Sequence, residues 1–105
     1  MDALGMALSG LRAASAGLAV QANNVANQRS EGYRAKRVDL AAQAEGGVEV
    51  RGLVEDPTPG APGASNVDLA TETVQGMGFD LMYRANLKVL KSQDELLRAT
   101  LDLKA

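Results

Sequence analysis

From residue 3 onward, apolar side chains return every third or fourth position, as Leu4, Leu8, Leu11, Leu18 and Val25, with Ser15 and Ala22 filling the same series. This unbroken 4-3 alternation predicts a helix over about residues 3–27 with a coiled-coil-like seam. A second stripe, Ala3, Ala7, Gly10, Ala14 and Gly17, carries nothing beyond Cβ and lets a neighbouring backbone come close. Between Ala3 and Gln28 the one ionisable side chain is Arg12, which is the pattern of a helix buried nearly all round. Protein rather than lipid is the expected surround. Ser9, Arg12, Ser15, Gln21, Asn23 and Asn24 break the run of about 20 apolar residues that a spanning helix needs.

The far end of the chain repeats the logic with more charge. Arg84, Lys88, Lys91, Glu95, Arg98 and Asp102 recur at 4-3 spacing as one polar stripe. Two apolar seams flank it: Leu87, Leu90, Leu97 and Leu101 on one side, and Met82, Val89, Leu96 and Leu103 on the other. Two seams imply two neighbours. Ser65 or Asn66 is the expected N-cap, with Asp68 and Glu72 placed where the helix dipole favours negative charge. A helix over residues 66–105 is on the order of 55 Å long, more than a lone two-helix hairpin with a small middle requires. A polymer subunit is therefore expected.

The first helix ends in "ANNVANQRSEGY", in which Asn23, Asn24 and Asn27 sit close together. Asparagine suits helix caps and the left-handed conformation, so these amides act as a stop signal that can also face another chain. Gly32 then falls third in a predicted type II turn, where a positive φ is required. Arg29, Arg34, Lys36 and Arg37 form a basic cluster accompanied by Tyr33 alone, which reads as a solvated face and not as a nucleic-acid surface. Gly46 and Gly47 precede alternating Val48, Val50 and Val54, which predicts a β-hairpin returning from Tyr33–Leu40. The segment Leu40 to Glu45 reads either as part of that hairpin or as a helical turn. All three prolines fall within "EDPTPGAPGASN", a linker that neither a helix nor a central strand can occupy.

Composition narrows the chemistry. One Phe, two Tyr and no Trp leave few large side chains for a core in a chain of 105 residues, so the isolated chain should be marginal. The net charge of -2 is too small to steer the chain to nucleic acid or lipid, and with no Cys and no His the usual thiolate and imidazole ligands and bases are missing. Asp80, Asp94, Glu95 and Asp102 lie along a solvated helix without a pocket to pair them, so no catalytic residue, cofactor, metal or small-molecule substrate is expected. The N-terminus has no basic segment followed by an uninterrupted apolar run and does not read as a cleaved secretory signal.

"ANNVANQRSEGY" resembles the signature of the bacterial flagellar axial proteins, Asn-Asn-(Ile/Val)-Ala-Asn followed by Thr or Ser, Gly and Tyr. "YRANLKVLKSQDELLRATLDL", from Tyr83 to Leu103, is similar to their terminal segment, in which Tyr-x-Ala-Asn precedes a Leu-rich helix. Ser30 stands where Thr is commoner, and the short middle resembles the small proximal-rod members. The resemblance implies a mainly α fold, with long N- and C-terminal helices paired as a coiled-coil-like hairpin and a small β-hairpin or loop middle. It divides the chain into 1–27, 28–65 and 66–105.

The family also implies subunit-packing roles for Asn23, Asn24, Asn27, Gly32 and Tyr33 at one end. At the other end it implies them for Tyr83, Ala85, Asn86 and the leucines Leu87, Leu90, Leu96, Leu97 and Leu101. The implied partners are other flagellar axial or rod subunits, in a homo-oligomer or mixed polymer, and the flagellar export apparatus. The implied location is the periplasmic rod of the basal body, reached without signal cleavage. On the residues alone, a cytoplasmic coiled-coil adaptor or export-linked protein would carry similar stripes.

Overall fold

A computed structural model describes residues 2–104, in the order α1 (Ala3–Ala26), β1 (Lys36–Ala42), β2 (Val48–Glu55) and α2 (Leu69–Lys104). Asp2 opens α1 by accepting the Gly5 N–H at 2.8 Å. Asn27 closes it: its own N–H reaches the Asn23 and Asn24 carbonyls, and its side-chain amide donates to the Asn23 carbonyl at 2.9 Å. No asparagine takes the left-handed conformation, so the helix ends through amide hydrogen bonds and not through a positive φ. The turn that follows does need one. Gly32 has φ 76° at the third position, and the Tyr33 N–H donates to the Ser30 carbonyl.

The hairpin forms one two-stranded antiparallel sheet running from the pair Lys36/Glu55 to Ala42/Val48, with an irregularity after Asp39 that leaves Arg51 without a partner across the ladder. β1 continues through Ala42, so the alternative of a helical turn from Leu40 is not realised there. The hairpin lies on α1. The Val48 N–H donates to the Ser9 hydroxyl, and Met6 covers Gly46.

α2 starts later than residue 66, and neither Ser65 nor Asn66 caps it. Asp68 holds the first turn: its carboxylate accepts the Ala70 N–H and the Thr71 hydroxyl, and its carbonyl accepts the Glu72 N–H. The two earlier candidates are drawn into the linker. Ser65 donates to the Gln28 carbonyl, while Asn66 accepts the Ala35 N–H at 2.6 Å and donates to the carbonyls of Asp56 and Thr58.

The helices run antiparallel with a short interior. Among the described residues the buried apolar ones are Ala7, Ala13, Ala14 and Ala35, and Gly10 and Gly17 are buried beside them. The stripe of small residues is thus the face α1 turns to α2. α1 has 24 residues and α2 has 36, about 36 and 54 Å at the helical rise, within a molecule 68 × 25 × 15 Å in extent. α2 consequently runs on past the start of α1.

Candidate functional site

Contacts along the helix pair follow a seven-residue repeat. A β-carbon at Gly10 would stand 2.5 Å from the side chain of Asn86, one at Gly17 would overlap the ring of Phe79, and Asn24 donates to Glu72. Each step of seven along α1 is met by a step of seven back along α2. Small residues at Gly10 and Gly17 are what allow Asn86 and Phe79 to enter.

The last of these contacts gathers three parts of the chain. Glu72 is fully buried, and its carboxylate pairs with the Arg37 guanidinium at 2.7 Å. The amide of Asn24 lies 3.2 Å from both Glu72 oxygens and also donates to the Lys36 carbonyl at 2.8 Å. Its oxygen accepts the Lys36 N–H and the Tyr33 hydroxyl, both at 2.9 Å. Asn23 in turn donates to the Tyr33 hydroxyl, and the Lys36 ammonium stands 4.9 Å from the centre of the Tyr33 ring. Every polar group that α1 buries at this end therefore finds a partner inside the chain.

Within the single chain the asparagine amides are engaged by the fold itself. Asn24 has no exposed surface, so its amide serves its own chain. Asn86 is half-buried over Gly10 and donates to the Met82 carbonyl. Asn23 is exposed and Asn27 half-buried, but their amides are also committed locally. Gly32 is exposed at its turn, and the Tyr33 hydroxyl belongs to the cluster.

The leucines are arranged differently. The Leu4 seam of α1 faces away from the hairpin: Leu4, Leu8 and Val25 are exposed, and Leu11 and Leu18 are half-buried. On α2, Leu87, Leu96, Leu97 and Leu101 are exposed, as is Tyr83, and Leu90 is half-buried. Helical spacing puts Leu90, Leu97 and Leu101 on the face of α2 that α1 covers further along. Beyond Gln93 no residue of α1 stands opposite. The result is an apolar groove of about 740 Å³ between Asp2, Ala3 and Leu4 at the start of α1 and Leu87, Leu90 and Leu97 of α2. The bare leucines and the groove form one surface, made of large aliphatic side chains that water meets at a cost.

Two residues of the cluster escaped sequence reasoning. Glu72 reads as a helix-dipole charge and Arg37 as one member of a solvated basic group, because pairing between residues 35 positions apart leaves no local pattern. The signal available was the isolation of Glu72 on an otherwise apolar and small face of α2, four residues before Gly76 and seven before Phe79.

Residues 59–103 match the family model described as the flagellar basal body rod FlgEFG protein C-terminal. The chain is also 34% identical to the flagellar basal-body rod protein FlgC of Yersinia enterocolitica, over 90% of each chain.

Proposed function

The chain belongs to the flagellar basal-body rod protein family, and on that premise we propose that it is a structural subunit of the rod that polymerises through its terminal helices and transmits torque. The observation that carries this reading is the unpaired overhang of α2. Leu96, Leu97 and Leu101 are about 60% exposed, on a helix that continues beyond its intramolecular partner. A helix apolar on the face its own chain leaves bare is completed by helices of neighbouring subunits. The Leu4, Leu8, Leu11, Leu18 and Val25 seam of α1 offers a second such face.

Like or related axial subunits are the proposed neighbours, with the export apparatus as a transient partner during passage out of the cytoplasm. The periplasmic section of the rod is the proposed location, reached through the flagellar type III channel without cleavage. The role is mechanical: the chain's polar cluster holds its own fold, and its aliphatic surface holds its neighbours.

The test is to replace the chromosomal copy in the source bacterium with a tagged one and isolate basal bodies. The tagged chain should co-purify with the rod and support swimming. Recovery of the chain in the cytoplasm alone, in cells with normal flagella, would overturn the reading.

A further inference from the structure

The polar stripe of α2 has an apolar half. Run back from Arg84, the same 4-3 spacing passes through Leu81, Met77, Val74 and Ala70. Val74, Met77 and Leu81 are 67%, 67% and 69% exposed, more than any other large apolar residue described except Leu103. Helical spacing sets them across α2 from Phe79 and Asn86, the residues that meet α1, so the chain leaves them bare. They lie in the first half of α2, apart from the bare leucines beyond Gln93.

Small residues alternate with the large ones on this face, where Ala70, Gly78 and Ala85 are exposed. A β-carbon at Gly78 would have nothing within 4 Å, and the notch opens on a cleft of about 330 Å³ bordered by Val74, Phe79 and Met82. The face is complementary to itself about the midpoint of Met77 and Gly78. Against a second α2 running antiparallel, each Met77 meets the Gly78 notch of the other copy, Val74 meets Leu81, and Ala70 meets Ala85. Small residues opposite Met77 and at both ends let the two helices close, and the aliphatic pairs between them are covered. Charge agrees with the same alignment. Lys88 makes no ion pair among the described residues, and it comes beside the exposed Asp68 of the second copy, twice by symmetry.

We infer that the free chain pairs with a second copy of itself through an antiparallel contact between the outer faces of α2, centred between Met77 and Gly78. Such an isologous contact closes on itself and cannot propagate, so it is a form of the unassembled chain and is separate from the contacts that build a polymer. The inference rests on the outer face of α2 alone and does not depend on the rod assignment.

The chain has no cysteine, so one introduced cysteine is a unique site for a spin label. Ser92→Cys and Ala99→Cys, made separately in the full chain, place the label at exposed positions beyond the overlap of the two copies. Each preparation is concentrated until sedimentation shows the dimer, and the distance between copies is read by double electron–electron resonance. In the proposed pair a label moved seven residues from the axis recedes in both copies, so the distance at residue 99 should exceed that at residue 92 by about 21 Å at the helical rise. Equal distances would mean a parallel pairing, and a shorter distance at residue 99 would mean pairing through the leucine overhang; either refutes the inference. So would a chain that sediments only as a monomer at every attainable concentration. Met77→Asp, at a position exposed in the single chain, should weaken association by about tenfold or more, and an unchanged association would also refute it.

Discussion

The ring of Phe79 occupies the place where a side chain at Gly17 would begin. The closeness of the two helices depends on this pair, since Phe79 is the one phenylalanine in the chain and the buried apolar residues along α1 are alanine and glycine. Gly17→Leu should therefore destabilise the helical state by about 1–3 kcal/mol through overpacking, more than the roughly 1 kcal/mol that removing a mid-helix glycine returns. Denaturant midpoints check this. Adding Phe79→Ala should recover part of the loss, and a double variant no more stable than Gly17→Leu alone would show that the clash lies elsewhere.

Removing Arg37 leaves the Glu72 carboxylate buried without its cation. Arg37→Ala should cost about 3 kcal/mol, the low end for breaking a buried pair, because the arginine side chain keeps 33% of its surface exposed. Glu72→Gln in that background should restore part of the stability, since a neutral amide can still bond to Asn24. If the second substitution deepened the loss, uncompensated charge would not be the cause.

Acid should loosen the linker at one identifiable carboxylate. The Thr58 N–H donates to Asp56 at 2.9 Å and, with the Thr58 hydroxyl, holds its pKa below the ordinary 3.8; burial opposes the shift, and the charges of Arg37 and Arg34 add to it. Because the folded value is depressed, the stabilisation is present above the unfolded value and disappears as pH falls through the folded one. The Thr58 amide resonance should shift with a midpoint below 3.8. Asp56→Asn should abolish that step, and an unchanged Thr58 titration in the variant would exclude Asp56 as its source.

The overhang can be removed without touching the internal contacts. Deleting residues 97–105 takes away Leu97, Leu101 and Leu103, each exposed in the isolated chain, and leaves the Gly10, Gly17 and Asn24 contacts in place. Burial of each leucine in an assembly is worth roughly 1.5–3 kcal/mol. The truncated chain should be exported and found in the periplasmic fraction but absent from isolated basal bodies. Incorporation at the full-length level would show that the overhang is dispensable.

The helices were legible in the sequence because their periodicities are long, and the turn at Gly32 because glycine alone suits its φ. The small stripe, Ala7, Gly10, Ala14 and Gly17, was equally visible, and the structure shows what it faces. Other features depended on contacts that no local pattern encodes. Ser65, Asn66 and Asp68 are all good N-cap residues, and the choice fell to Asp68 because the other two bond to segments 30 or more positions earlier. What the asparagines bond to within the chain is hidden from the sequence for the same reason. That Asn24 turns inward is decided by Lys36, Tyr33 and Glu72, which come together only once the whole chain has folded.

The bare leucines of α2 are proposed to hold neighbouring subunits in the rod. Leu97 is 59% exposed in the single chain, so Leu97→Asp should leave its helicity and melting unchanged, whereas in an assembled seam the carboxylate would lose its hydration without gaining a partner, at a cost of several kcal/mol. Lys88→Ala, on the polar stripe, is the control. The decisive measurement is the amount of each variant in basal bodies isolated from cells that express it in place of the unsubstituted protein. Lys88→Ala should be incorporated normally and Leu97→Asp should not; equal incorporation of the two would overturn the packing role of the bare leucines.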